Sequence, residues 1–182
     1  MAERPAAKPI RFDAAVSVIG GWTIVRLPER ASKQLPSHGQ VAVTGTINGQ
    51  GFETVVEPDG TFGHWIKVEA ELQKAASLEP GTIATIEIVA RPDWPEPLVP
   101  PDLQAALAAT APDVHALWEQ ITPMARWEWV RWVNQTRNPA TRMRRVEVTI
   151  SKLGNGKRRP CCFNLAGCTD PDLARNGRLV DH

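Results

Sequence analysis

Arg142, Arg144 and Arg145 fall within four residues, and Lys152, Lys157, Arg158 and Arg159 follow in the same stretch of chain. Guanidinium groups so spaced can grip phosphate or carboxylate through paired N–H donors, which is recognition chemistry rather than bond making. From Arg137 to Arg159 eight Lys or Arg side chains stand against Glu147 alone, leaving about +7 there and about −6 in the rest of a chain whose total is +1. On a helix, Arg142 and Arg145 lie on nearly one side, joined by Thr149 and Lys152, while Arg144 points away from them. Two readings stand. One is a solvated helix face opposite an apolar stripe; the other is an anion site, extended by the Lys157, Arg158 and Arg159 loop.

Other candidates carry less. Trp127, Trp129 and Trp132 precede the arginines at spacings that spread them over more than one helix face, so most are expected in a core. If Trp127 were exposed near Arg131, it would offer a face on which a nucleobase could stack. His64 alternates with Phe62 and Ile66, which aims it inward as a core histidine; with Trp22 and Trp65 it could line a pocket. Glu53 and Glu57 have no evident partner. Cys161, Cys162 and Cys168 are spaced CC-x5-C, a poor zinc chelate that would need Asp170 or His182 to complete it, so no metal and no cofactor is expected. There is no Walker loop, G-x-G-x-x-G, H-E-x-x-H or G-x-S-x-G, and no Ser or Cys is placed as a nucleophile for His64.

The elements that must position these residues follow from composition and periodicity. With 182 residues, 42% apolar and seven Trp, there is material for one domain or two small ones. No run is long enough to span a bilayer and no signal-type segment opens the chain. An odd number of crowded cysteines fits a reducing compartment, so the cytoplasm is the expected location. Strict alternation of Ile10, Phe12, Ala14, Val16 and Val18 predicts a strand. WTIVRL, QVAVTGTI, GFETVV, TFGHWIKV and TIATIEIVA predict five more. Asn48-Gly49 predicts a type I′ hairpin, and Pro58-Asp59-Gly60 another turn. Two runs, VRLPERASKQLPSHGQVAV and IKVEAELQKAASLEPGTIATI, repeat the order strand, short helix, turn, strand. Six short antiparallel strands in two such halves favour closure into a barrel, which removes unpaired edges.

After Ala90 the chain changes character. RPDWPEPLVPP, with five prolines, predicts an extended connector. Beyond it four helices are expected. Asp102 would cap the first, Pro112-Asp113 would open the second, and Thr122-Pro123 and Asn138-Pro139 the third and fourth. The fourth has Met143, Val146, Ile150 and Leu153 as its apolar stripe, and Gly154 at its C-terminal stop. The expected plan is therefore a β-barrel plus a small α-helical domain: a barrel over 10–91, a Pro-rich linker over 92–101, helices over 102–155, and an irregular basic and Cys-containing tail over 156–182.

The LPE segment, V-x-G-T-I-N-G hairpin, P-G turn, P-x-D-L-x-x-A-L helix entry, Trp-rich helix and T-R-x-R-R helix, in that order, resemble a bacterial arrangement. It joins the domain-of-unknown-function family 1905 to the YdeI/OmpD-associated, or bacteriocin-protection, family. The resemblance covers residues 10 to about 155 and excludes the Cys-containing tail. It implies a small barrel with a helical appendage, in a cytoplasmic, non-enzymatic protein of stress or antimicrobial-peptide tolerance that acts through a protein, a peptide or an anionic ligand. Two alternatives stand beside it. One is nucleic-acid binding, with an AbrB-like barrel and the arginine helix on phosphates, although the barrel segment is acidic overall. The other is a small-ligand binder or enzyme that uses the barrel interior around Trp22, His64 and Trp65.

The cysteine spacing sets a first expectation. Elemental analysis of the reduced protein should find no stoichiometric zinc; one zinc per chain, lost when Cys161 and Cys168 are replaced, is the contrary result.

Overall fold

A computed structural model of the chain describes residues 8–160, 172–175 and 178–180. Among these, 8–94 and 178–180 make one compact unit, and 95–160 with 172–175 make another.

The first unit is a closed barrel of six strands, β1 Ile10–Ile19, β2 Trp22–Arg26, β3 Val41–Ile47, β4 Gln50–Pro58, β5 His64–Lys67 and β6 Ile83–Ala90, in the ring order β1-β2-β5-β4-β3-β6. All pairings are antiparallel. Helix α1, Glu29–Ser32, joins β2 to β3, and α2, Ala70–Ala75, joins β5 to β6. Exchanging β1, β2 and β3 for β4, β5 and β6 leaves every neighbour relation in the ring unchanged. The repeat in the sequence is thus a topological two-fold of the barrel.

Alternation fills the inside. Ile10, Phe12 and Ala14 of β1 stand opposite Ile88, Ile86 and Ala84 of β6, and with Val43, Ile47, Val25, Val56 and Ile66 they build one continuous apolar core. Burying a side chain of this size contributes about 1.5–3 kcal/mol. Several outward positions are polar, as in the register pair of Arg11 and Glu87, which are ion-paired. The β3–β4 hairpin turns through Asn48 at φ 47° and Gly49 at φ 81°, the two positive values a type I′ turn needs.

Two expected alternations break where the chain changes partner or bends. β1 pairs with β6 up to Ala15 and with β2 from Val16, and beyond that switch Val18 is exposed while Ile19 is buried. β5 begins only at His64. Phe62 sits at φ 71° and is 81% exposed, because Asp59 accepts hydrogen bonds from Thr61 and Gly63 N–H and holds 59–63 as a loop. Phe62 therefore does not share the inward face of His64 and Ile66.

The second unit holds four helices, α3 Pro101–Ala108, α4 Pro112–Gln120, α5 Pro123–Asn134 and α6 Pro139–Gly154. Each starts on a proline, whose missing N–H costs nothing there. Thr122 and Asn138 cap α5 and α6 by accepting from Ala125 and Thr141 N–H. Asp102 does not cap α3: the helix begins ahead of it, and its carboxylate faces Arg142. Leu103, Leu107, Val114, Trp118, Trp129, Val133, Val146 and Leu153 form the core. Met143 drops out of the predicted stripe at 62% exposure, and Thr149 is buried in it instead. The stop of α6 lies at Gly156, not Gly154: Gly156 takes φ 74°, its N–H donates to Leu153 and that of Lys157 to Lys152, the paired bonds of a Schellman motif.

Within 156–182, two short strands, β7 Ala174–Arg175 and β8 Arg178–Leu179, are described. Leu179 N–H donates to Asp59 O at 2.9 Å and Arg26 donates to Val180 O at 2.7 Å, which fastens 178–180 onto the barrel unit.

Gly45 marks a close backbone approach in the ring. A Cβ there would lie 1.9 Å from the Glu87 carbonyl oxygen and 2.9 Å from the Ile88 Cα, so only glycine lets β3 approach β6 this closely. Gly45→Ala should lower stability by about 1–3 kcal/mol in denaturant unfolding, as overpacking does. A loss confined to a few tenths would show that β3 can yield.

Candidate functional site

The predicted cationic helix is α6, and its arginines divide into two groups. Arg142 reaches across to α3: its Nε and Nη2 donate to the two Asp102 oxygens at 2.6 and 2.9 Å, while Nη1 donates to Asn134 Oδ1 at 3.0 Å and meets Val133 O at 3.4 Å. Arg145 donates to Trp132 O at 2.6 Å and Gln135 Oε1 at 3.1 Å, and its guanidinium lies 5.3 Å from the Trp132 ring centroid. Lys152 takes the same ring at 5.7 Å. These three side chains fasten the C-terminal end of α5, where last-turn carbonyls need donors and positive charge suits the helix dipole. Arg159 is ion-paired with Glu128 at 2.9 Å. Arg144, Lys157 and Arg158 are exposed.

Burial pushes the Glu128 carboxyl up, against the pull of Arg159 and Arg131. Hydrogen bonding from Arg142 holds Asp102 below the usual carboxylate range. Arg126 is a structural cation that the sequence did not single out. It is 9% exposed, grips Glu96 with two bonds of 2.6 and 2.8 Å, and donates to the carbonyls of Trp118, Glu119 and Ile121 at the end of α4. A cation four residues after Thr122-Pro123 was the available signal.

The tryptophans are structural. Trp129 is fully buried, donates to Arg158 O at 3.1 Å and packs edge-on against Trp132 with centroids 6.1 Å apart. Trp127 donates to Pro95 O at 2.7 Å, which ties the Pro-rich connector to α5. It is half-buried rather than presented as an open stacking face.

In the barrel, the three residues expected around a pocket do not share one face. His64 shares the parity of Ile66 and Val68, which point inward. Trp65 and Lys67 share the other parity, and Trp22 alternates against the inward Val25 and Leu27, so both tryptophans belong to the outer side. There Lys67 Nζ lies 3.9 Å from the Trp22 ring centroid. His64 is 1% exposed, with Nε2 donating to Gly39 O at 3.0 Å, and burial depresses its basicity. Glu53 and Glu57 do have partners, Arg91 at 3.0 Å and Gln40 at 3.1 Å. A concave feature of this unit lies on its flank: a groove of about 380 Å³ between β4 and α2, lined by Phe52 and Leu72 together with Glu53, Glu69 and Glu71.

Among the described residues no group of three or more His, Cys, Asp or Glu could hold a metal, and no helix is long and apolar enough to cross a membrane. Cys161, Cys162, Cys168, Asp170 and His182 lie outside the described residues.

The Arg142–Asp102 bridge sets a measurable expectation. A double-mutant cycle with Arg142→Ala and Asp102→Ala should give a coupling of about 1 kcal/mol, the upper range for a partly exposed pair. Because the folded carboxyl titrates low, that coupling is fully present above the ordinary Asp range and fades as pH falls below it. A coupling unchanged at pH 2 would show that the pair is not ionic.

No curated protein matches the chain significantly. Residues 10–88, nearly the whole barrel, match the family described as Domain of unknown function (DUF1905). Residues 96–156, which hold all four helices of the second unit, match the family described as Bacteriocin-protection, YdeI or OmpD-Associated. This chain thus joins a DUF1905 barrel to a YdeI/OmpD-associated helical domain, in that order.

Proposed function

We propose that this protein is a non-enzymatic binding protein that acts in tolerance of antimicrobial peptides by holding a peptide or a segment of another protein. The observation that carries this reading is a groove on the flank of the barrel unit. The interior is filled by apolar side chains from all six strands, and the groove lies outside, between β4 and α2. Apolar side chains occupy the interior, whereas a flank groove suits an extended chain. His64 is sequestered on a backbone carbonyl, with no nucleophile beside it among its hydrogen-bond partners. The family description of the helical domain supports the physiological side of the reading. The three thiols suit a reducing compartment, in keeping with action in the cytoplasm.

A second reading rests on the exposure of Arg144, Lys157 and Arg158, which leaves them available to the phosphates of a nucleic acid.

The test of the first reading is survival. Bacteria producing the chain should withstand a higher concentration of a cationic bacteriocin than cells with an empty vector, and equal survival at matched protein levels would reject it. Duplex DNA addresses the second. If phosphates bind there, replacing the three exposed cations by alanine should shallow the slope of log affinity against log salt by about 0.9 for each phosphate no longer neutralised.

A further inference from the structure

The closed ring contains a seam. β4 pairs with β3 along its whole length from Gln50 to Val56, but with β5 only through Glu57 and Pro58. In a two-residue hairpin the residues flanking the turn, Ile47 and Gln50, exchange backbone bonds, and alternate residues of β4 then face β3. Gly51 and Glu53 therefore turn their N–H and C=O groups the other way, towards the seam, where no described strand pairs with them. Both residues are exposed, and a Cβ on Gly51 would meet nothing within 4 Å. The groove beside α2 lies along this stretch of free edge.

The pseudo-two-fold partner of the seam behaves differently. β1 likewise pairs with β6 over Ile10–Ala15 and with β2 only from Val16, so its first half has the same open side. There α1 buries Ala31 and Ser32, and Leu35 just beyond it joins the core. α2, the equivalent helix, buries none of its residues. Ala76 and Leu78, just beyond α2, join the core as Leu35 does, so the difference lies in the helices themselves: α1 is packed down over its stretch of edge and α2 is not.

The charge at the open half is acidic on balance. Among the groove's lining residues Glu53, Glu69 and Glu71 outnumber Lys67, and Lys67 is drawn to Glu69 at 2.9 Å and to the Trp22 ring. Over residues 10–90 nine acidic side chains stand against six basic ones. Phe52 and Leu72, half-buried at the base, pack on the barrel core and supply an apolar floor.

We infer that the β4–α2 seam binds a basic, extended peptide segment, which adds to the barrel as a strand along Gly51 and Glu53. Its backbone pairs with the free edge, one side chain in two rests on Phe52 and Leu72, and the alternate lysines or arginines meet Glu53, Glu69 and Glu71. The inference rests on reading the chain as a peptide- or protein-binding module, and names the segment and the mode.

The experiment titrates isotope-labelled full-length protein with an end-blocked octapeptide of alternating lysine and valine, followed by backbone amide NMR. Amide shifts should concentrate at 50–54 and 69–75, and the alternating glutamate–valine octapeptide should bind there about tenfold more weakly or worse. N-methylating the lysine–valine probe at alternate residues keeps its charge and removes its edge-pairing donors in one of the two registers. One of the two N-methyl isomers should lose about tenfold or more in affinity. Gly51→Pro removes a seam-facing N–H without taking a bond from β3, and should weaken binding comparably while the rest of the amide spectrum stays in place. Equal binding by both N-methyl isomers, shifts outside the seam, or equal affinity for the acidic probe would overturn the inference, and the two isomers decide it even if Gly51→Pro disturbs the fold. Bacteriocin survival without binding at the seam would leave the tolerance reading standing and this one fallen. Binding at the seam without survival would do the reverse.

Discussion

Backbone N–H and C=O groups removed from water need partners, and most of this molecule is arranged around that requirement. In the helical unit the difficulty arises from the prolines. Each helix begins on one, so the start of a helix has no proline N–H to offer the end of the preceding helix. Arginines supply the missing donors: Arg126 for the last carbonyls of α4, Arg145 and Arg142 for those of α5. This explains why a small domain retains so many buried or half-buried guanidinium groups. They are held by carbonyls and by carboxylates, Glu96 and Asp102 among them.

In the barrel the same requirement is met by closure, which removes the edges an open sheet would present. The ring satisfies it unevenly. Because β1 and β4 each change partner along their length, each leaves a stretch with one unpaired side, and the following helices cover them differently. Ala31 and Ser32 of α1 are buried, whereas Leu72 of α2 is only half-buried above Phe52. The helix of one half is thus packed down on the barrel, while that of the other rides higher and leaves the groove beside it. The functional candidate in the barrel lies at that departure from symmetry, rather than in the interior that the fold fills.

The two units therefore carry opposite chemical characters. The helical unit concentrates positive charge, much of it engaged internally, with Arg144, Lys157 and Arg158 at the surface. The barrel is acidic on balance and keeps its groove carboxylates outside. Electrostatic sign governs which partner approaches which unit more than it governs fold, so these are separate recognition questions on one chain.

The local features were legible in the residues themselves. Asn48-Gly49, Thr122-Pro123 and Asn138-Pro139 announced a hairpin and two helix starts, because turn and cap chemistry is decided within a few residues. Period-two alternation announced the strands, and the repeat of strand, helix and strand announced a closed ring of two halves, because these patterns follow from burial on one face. Tertiary structure alone decided what the side chains meet. The arginines of α6 read as a solvated face or an anion site, since sequence spacing says which side of a helix a residue occupies but not what lies opposite it; Asp102, Asn134 and Trp132 came into reach only through helix packing. Trp22 and Trp65 looked like pocket residues and belong to the outer side of the barrel, because strand parity is relative until one face is known to be the core. The seam along Gly51 and Glu53 had no sequence signal, for an unpaired edge is defined by which strand fails to come alongside it, and that depends on where β4 and β5 part.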